Sequence, residues 1–335
     1  MFLSQGRDEE GSLLEVSNLK TYLYTSSGVI RAVDDVSFHI QRREIFGIVG
    51  ESGSGKTMTA LSIMRLLPSP PAKIVSGNVR LDGADLVTLT EDKMREIRGN
   101  KVSMIFQDPL TSLNPLMKVG TQIAEVSRVH GKATKGEAER HAVELLEMVG
   151  IPEAKTRASS YPFELSGGMR QRVMIAIALA ANPELIIADE PTTNLDATIQ
   201  AQILSLLKDI RATQGASVLV ITHNLGIVAW ICDRVAVMYA GKIVELGPTR
   251  LVLRNPLHPY TKALLKSVPR VDTERGKLET IPGEVPKLIY SNPSCGFSPR
   301  CEYAKSICKS KDPYMIEAEP RHWVSCFIYS EEWGL

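Results

Sequence analysis

The stretch Gly50-Glu51-Ser52-Gly53-Ser54-Gly55-Lys56-Thr57 constrains this chain more than any other. It satisfies G-x-x-x-x-G-K-[ST] between an apolar run at 45–49 and a helical pattern at 58–67. Strand, glycine-rich loop and helix in that order make a phosphate cradle. The glycines let successive backbone N–H groups curl around an anion, and the helix N-terminus adds the positive end of its dipole. Lys56 supplies a point charge to the β- and γ-phosphates, and Thr57 is placed to ligate Mg²⁺. The pattern predicts a nucleoside triphosphate site at the end of a buried strand, with Gly50, Ser52, Gly53, Ser54, Gly55, Lys56 and Thr57 against the nucleotide.

Two more short apolar runs, 185–188 and 218–221, fit buried strands of a parallel sheet, whose polar C-terminal ends line the site in such folds. The first of them runs into Asp189-Glu190. Alone, this pair reads as an ordinary acidic strand end. Beside a phosphate cradle, Asp189 becomes a ligand for Mg²⁺, and Glu190 a general base that accepts a proton from the attacking water. Upstream, residues 14–40 alternate around Thr25-Ser26-Ser27-Gly28, which predicts an antiparallel hairpin at the edge of the domain.

Helical periods fill the interval between the first two buried strands. In residues 137–149, Ala138, Ala142, Leu145, Leu146 and Val149 share one face before Gly150 ends the helix. A helical subdomain at about 108–182 is therefore expected inside an α/β core. Past Gly247-Pro248 the composition changes: NPLHPYTKALLKSVP offers one short helix between prolines, and IPGEVP and SNPSCGFSP are turn-rich. This places a boundary near Leu251, with a core domain over 1–250 and a small loop-rich extension over 251–335.

With 335 residues, 44% of them hydrophobic, the chain can bury one large core and still supply such an extension. Lys and Arg total 39 against 38 Asp and Glu, so no net positive field holds nucleic acid by its phosphates. The opening MFLSQGRDEEGS lacks a basic segment followed by an apolar one, and the longest apolar stretches fall short of a bilayer. A cytoplasmic chain is the expectation. Of five cysteines, Cys295, Cys301, Cys308 and Cys326 crowd the C-terminal extension, while Cys232 sits in an apolar run as a small core residue. In a reducing compartment such a cluster suggests metal rather than disulfides. With intervals of five, six and seventeen residues, the spacing suits either tetrahedral zinc or a [4Fe–4S] cluster.

Leu165-Ser166-Gly167-Gly168-Met169, followed by Arg170-Gln171-Arg172, gives the chain its family resemblance. Over about residues 14–248 it resembles the ATP-binding subunits of ABC transporters. Ser166 alone would read as a helix cap. The resemblance implies more: Ser166, Gly167 and Gly168 grip the γ-phosphate bound on an opposite subunit, so that two chains sandwich two nucleotides. It also implies that Gln107 touches Mg²⁺ and the attacking water, that Asp196 crosses the dimer interface, and that His223 bonds the γ-phosphate. Met169 departs from the more usual Gln, and Asn194 from the more usual Ala. The adenine-stacking aromatic of the family aligns with Leu23, between Tyr22 and Tyr24. Strand alternation sends both tyrosines to the face opposite Leu23. Leu23 and Tyr24 remain alternative base contacts, with Arg31 their neighbour across the hairpin.

The segment from Asn255 to Leu265 and the closing Arg321-His322-Trp323-Val324-Ser325-Cys326-Phe327 are similar to the tail of the dipeptide and oligopeptide importers. That resemblance favours the iron–sulfur cluster over zinc. It implies a sister ATPase subunit, two integral membrane permeases, indirectly an extracytoplasmic binding protein, and a peripheral location on the cytoplasmic face of the membrane. A nickel or other small-solute importer would share this architecture. A soluble ABC ATPase acting on nucleic acid or the ribosome typically carries two cassettes or a long coiled coil, and neither is present in the sequence. The phosphate loop and the cysteine segment fall in different modules, which predicts that nucleotide binding is independent of the cysteines.

Overall fold

The computed structural model describes residues 11–267, 281–284, 286 and 294–334. The first ten residues, and with them most of the N-terminal stretch considered for targeting, lie outside the described residues, as do parts of the IPGEVP and SNPSCGFSP segments. Two compact units divide the chain: Met1–Ile40, Phe46–Val87 and Thr222–Leu335 form one, and Gln41–Ile45 with Thr88–Ile221 form the other.

In the first unit, Leu14–Thr25 and Gly28–Ile40 form the antiparallel hairpin that the alternation predicts, with Tyr24 opposite Val29 and Thr25 opposite Gly28. The Thr25 hydroxyl donates to the Gly28 carbonyl at 2.7 Å and closes the turn. Ala72–Leu81 and Ala84–Asp85 continue this antiparallel sheet. A second group of strands carries the phosphate loop. Ile45–Val49 runs parallel to Arg234–Tyr239, and every residue of both strands is buried, as strands covered on both faces require. Lys242–Pro248 then pairs antiparallel with Arg234–Tyr239.

The C-terminal extension is less loop-like than its composition implies. The strands Ile316–Glu319 and His322–Val324 form a hairpin, and the second of them pairs with Lys242–Pro248. The described residues that follow Leu251 fall in the same unit as the phosphate loop.

The second unit holds Val102–Ile105, Leu185–Asp189 and Ser217–Thr222 as parallel neighbours. Between the first two, the described residues are helix and loop only, including Val119–Val129, Lys135–Met148 and Gly167–Leu179. The helix Lys135–Met148 starts at a capping box, where the Thr134 N–H donates to the Glu137 carboxylate at 2.8 Å. Its predicted face of Ala138, Ala142, Leu145 and Leu146 is buried, and packs with Ile123, Val173 and Ile175 in the core of this unit.

Candidate functional site

Each unit carries its own share of the functional residues. The phosphate loop, His223, the adenine candidates and the four clustered cysteines belong to the first; Gln107, Asp189, Glu190, the Ser166 signature and Asp196 belong to the second.

The phosphate loop leaves the buried strand Ile45–Val49 and enters the helix Lys56–Met64. Two of its glycines are dictated by space. A Cβ on Gly50 would lie 2.1 Å from the Met238 carbonyl oxygen, and one on Gly55, at φ +106°, would lie 2.2 Å from the Ala32 carbonyl oxygen. Ser54 is buried while Ser52, Gly53 and Thr57 are exposed, so the outer rim of the loop faces solvent. Lys56 is folded across the loop. Its ammonium donates to the Gly50 and Glu51 carbonyls, each at 2.8 Å.

Glu51 ties this loop to the C-terminal extension. Its N–H donates to the Tyr260 hydroxyl at 2.9 Å, and its carboxylate accepts two hydrogen bonds from the Arg300 guanidinium, at 2.8 and 3.1 Å. Hydrogen bonding to Glu51 holds the guanidinium even more firmly protonated than usual. Arg300 also donates to the Tyr239 hydroxyl and to the Pro282 and Ile281 carbonyls. Tyr239, Tyr260 and Phe297 pack ring to ring with centroids 4.6–5.5 Å apart. Arg300 immediately precedes Cys301. An ion pair and an aromatic stack thus join the phosphate loop to the segment that carries the cysteines.

Cys295, Cys301, Cys308 and Cys326 line one small cavity with His258 and Phe297. Burial pushes the thiol of Cys295 up to about 11 and that of Cys326 up to about 12, and the neighbouring cysteines add to both shifts. Among the described residues, no three His, Cys, Asp or Glu side chains form a group able to hold a metal ion. Cys232 is buried, as a small core residue should be.

Arg31 lies over the Tyr22 ring at 5.3 Å and pairs with Asp34 at 3.6 Å, while the Tyr22 hydroxyl donates to Asp34 at 2.8 Å. Burial and that hydrogen bond raise the Tyr22 phenol to about 12. Leu23 is half-buried opposite Ile30, and Tyr24 is 52% exposed.

In the second unit, Asp189 ends its strand nearly fully buried, and Glu190 follows in the left-handed region at φ 47°. The Glu190 N–H donates to the Ile221 carbonyl at 2.9 Å, which fixes the turn. Its carboxylate accepts from the Gln107 amide at 3.1 Å and from the Thr193 hydroxyl at 2.8 Å. Gln107 and Glu190, 83 residues apart, are thus brought together. Ser166 caps the helix Gly167–Leu179, its hydroxyl accepting from the Met169 N–H at 3.3 Å, and both Ser166 and Gly167 are exposed. Asp196 caps Ala197–Gln214 in the same way, accepting from the Ile199 N–H at 3.0 Å. His223 is exposed just after Ser217–Thr222.

Sequence reasoning missed Glu51, Tyr260 and Arg300, and also Glu245. The Glu245 carboxylate is fully buried and accepts the N–H groups of Leu257 and His258 at 2.8 Å each, with His322 Nε2 also at 2.8 Å. Glu51 and Tyr260 lie inside segments that the sequence singles out, but at positions given no role there, and Arg300 and Glu245 carry no local signal, since their partners lie elsewhere in the chain.

Comparison with known proteins agrees with this architecture. The ABC transporter family profile matches residues 33–193, and that of the oligopeptide/dipeptide transporter C-terminal region matches residues 244–308. The oligopeptide transport ATP-binding protein AppD of Bacillus subtilis is 51% identical over 321 residues, covering 96% of this chain and 98% of its own. The probable peptide ABC transporter ATP-binding protein y4tR of Sinorhizobium fredii is 49% identical over 330 residues, with 98% of each chain covered. Among solved structures, the dimeric post-hydrolysis state of the ATP-binding cassette MJ0796 with ADP and Pi matches at TM-score 0.64 and 30% identity, over 71% of this chain and 99% of that one. No helix among the described residues is long and apolar enough to cross a membrane. The phosphate loop, the acidic strand end, the Ser166 signature and near-full-length similarity together establish that the chain belongs to the ABC transporter ATP-binding proteins, in the branch with the oligopeptide/dipeptide transporter C-terminal region.

Proposed function

We propose that this chain binds and hydrolyses ATP to energise the import of dipeptides or oligopeptides through partner permeases. The observation that carries the reading is the pairing of a complete phosphate loop with a C-terminal region matched at residues 244–308 to the peptide-transporter family. Lys56 and the loop N–H groups bind the phosphates. Thr57, Gln107 and Asp189 would hold Mg²⁺, and their hydroxyl, amide and carboxylate oxygens are the hard donors that this cation takes. Bound there, Mg²⁺ would neutralise phosphate charge. Glu190 accepts the proton of the attacking water, and Gln107 and Thr193, its hydrogen-bond partners, orient its carboxylate. His223 bonds the γ-phosphate, Tyr24 or Leu23 contacts the base, and Ser166, Gly167, Gly168 and Asp196 serve a nucleotide shared with a sister ATPase subunit.

Two permeases anchor the pair peripherally on the cytoplasmic face of the membrane, with an extracytoplasmic binding protein delivering the peptide. Exposed Leu110, Leu116 and Phe163 give the helical subdomain an apolar surface suited to such docking.

Cys295, Cys301, Cys308 and Cys326 would hold a [4Fe–4S] cluster in a structural role. Four thiols face one cavity, and burial, with a smaller contribution from neighbouring cysteines, makes Cys295, Cys301 and Cys326 costly to ionise without a positively charged centre beside them. A zinc ion draws its thiolates to about 2.3 Å from one point, whereas a four-iron cube takes one thiolate at each iron and so asks for a wider cage. Reconstitution with the cognate permeases and binding protein in vesicles tests the cargo. ATP-dependent uptake of labelled di- or oligopeptide is expected; uptake of Ni²⁺ without peptide would overturn the peptide reading.

A further inference from the structure

We propose that Arg300 and Tyr260 of the C-terminal extension are positioning residues of the phosphate loop, so that this extension forms part of the nucleotide site of its own chain. The inference rests on the ATP reading above and deepens it. Glu51, the second residue of the loop, is held from two directions. On the loop side its carbonyl accepts from Lys56, the residue that meets the phosphates. On the extension side its N–H is fixed by the Tyr260 hydroxyl and its carboxylate by the fork of Arg300. A shift at Glu51 therefore moves an anchor of Lys56.

Charge makes the arrangement more than a strut. A carboxylate in a loop that binds a polyanion repels its own ligand unless a cation neutralises it, and Arg300 does so through a bidentate pair. The Arg300 side chain is only 5% exposed, which limits solvent screening of the pair, and hydrogen bonds to Tyr239, Ile281 and Pro282 hold the guanidinium in place. Removing Arg300 would leave Glu51 uncompensated at the edge of the phosphate site. Removing the Glu51 charge as well should then restore binding, an outcome that loss of packing alone does not produce.

The test measures MgATP affinity of the full chain by titration calorimetry, with a thermal melt of each variant. Arg300→Met should weaken binding by roughly tenfold or more, the scale on which unpairing a buried charge acts. Glu51→Gln combined with Arg300→Met should return to within about threefold of wild type, because the contacts of Glu51 with Tyr260 and Lys56 use its backbone and survive the loss of its charge. Arg300→Lys should rescue only in part, because an ammonium cannot make the bidentate contact. Tyr260→Phe keeps the ring stack and removes only the oxygen that accepts the Glu51 N–H, so it serves where Arg300→Met does not fold; a loss of a few-fold in affinity with an unchanged melt is expected. The proposal is overturned if folded Arg300→Met binds MgATP like wild type, if the double variant is as weak as Arg300→Met alone, or if Tyr260→Phe changes nothing. Lys56→Ala separates the two claims: normal binding by Lys56→Ala sinks the nucleotide reading of the loop, and absence of binding in the wild-type chain sinks both.

Discussion

Replacing Glu245 with Leu should be among the most destabilising single changes in the first unit. The carboxylate has no solvent exposure, and Leu257 N–H, His258 N–H and His322 Nε2 converge on it at 2.8 Å each. Leucine fills the space and offers no acceptor, which leaves these three polar groups buried and unpaired. At about 1–3 kcal/mol for each unsatisfied group, the cost lies between roughly 3 and 9 kcal/mol. Breaking a buried charged set elsewhere typically costs about 3–5 kcal/mol, so the lower half of that range is the expectation. The damage also reaches the site, because Leu257 and His258 lead into the helix Pro259–Lys266, which carries Tyr260. Urea unfolding followed by tryptophan fluorescence is a suitable assay: Trp323 pairs with Leu246 on the strand next to Glu245. The midpoint should fall with little change in slope. Adding His322→Leu should recover part of the loss, since it removes one of the orphaned groups. A loss below about 1 kcal/mol in Glu245→Leu would mean that these three groups do not depend on the carboxylate.

Two further outcomes follow from the same region. Burial, with a smaller contribution from Lys262, lowers His258 from 6.5 to about 3, and its Nδ1 accepts the Tyr260 N–H at the helix start. The unfolded chain therefore binds a proton at His258 that the folded chain refuses. Stability from this group is complete above pH 6.5 and is lost at about 1.4 kcal/mol per pH unit as pH falls from there toward 3. His258→Asn keeps a capping acceptor and should flatten that part of the stability–pH curve; an unchanged slope would contradict the assignment. For the cysteines, protein purified without oxygen should be brown, with about four iron and four sulfide per chain. Serine at Cys295, Cys301, Cys308 or Cys326 should bleach it and serine at Cys232 should not, whereas a colourless protein with one zinc would reject the cluster.

What the sequence discloses here is what is local. The phosphate loop is legible because its glycines, Lys56 and Thr57 sit within eight consecutive positions, and the same contiguity exposes Asp189-Glu190 and the signature at Ser166. The hairpin at 14–40 and the buried face of Lys135–Met148 follow from period alone. The adenine side is less readable. Alternation assigns faces in a regular strand, and the pairing of Leu14–Thr25 with Gly28–Ile40 slips at three places between Val16 and Leu23. The C-terminal extension hides its organisation for another reason: Ile316–Glu319 and His322–Val324 have four and three residues, too few to show a period. Glu51 with Arg300 are 249 positions apart, and Glu245 with His322 are 77 apart. Each looks like an ordinary surface charge until the chain is folded.

If Glu190 is the general base of ATP hydrolysis, one pair of constants reads it out. MgATP affinity and steady-state phosphate release should be measured side by side for wild type and Glu190→Gln, in the assembled transporter. Glutamine can keep a hydrogen-bonded place beside Gln107 and Thr193 but cannot accept the proton of the attacking water. Affinity should stay near that of wild type, with turnover reduced on the order of 10²-fold or more. Wild-type turnover in Glu190→Gln would contradict the general-base role.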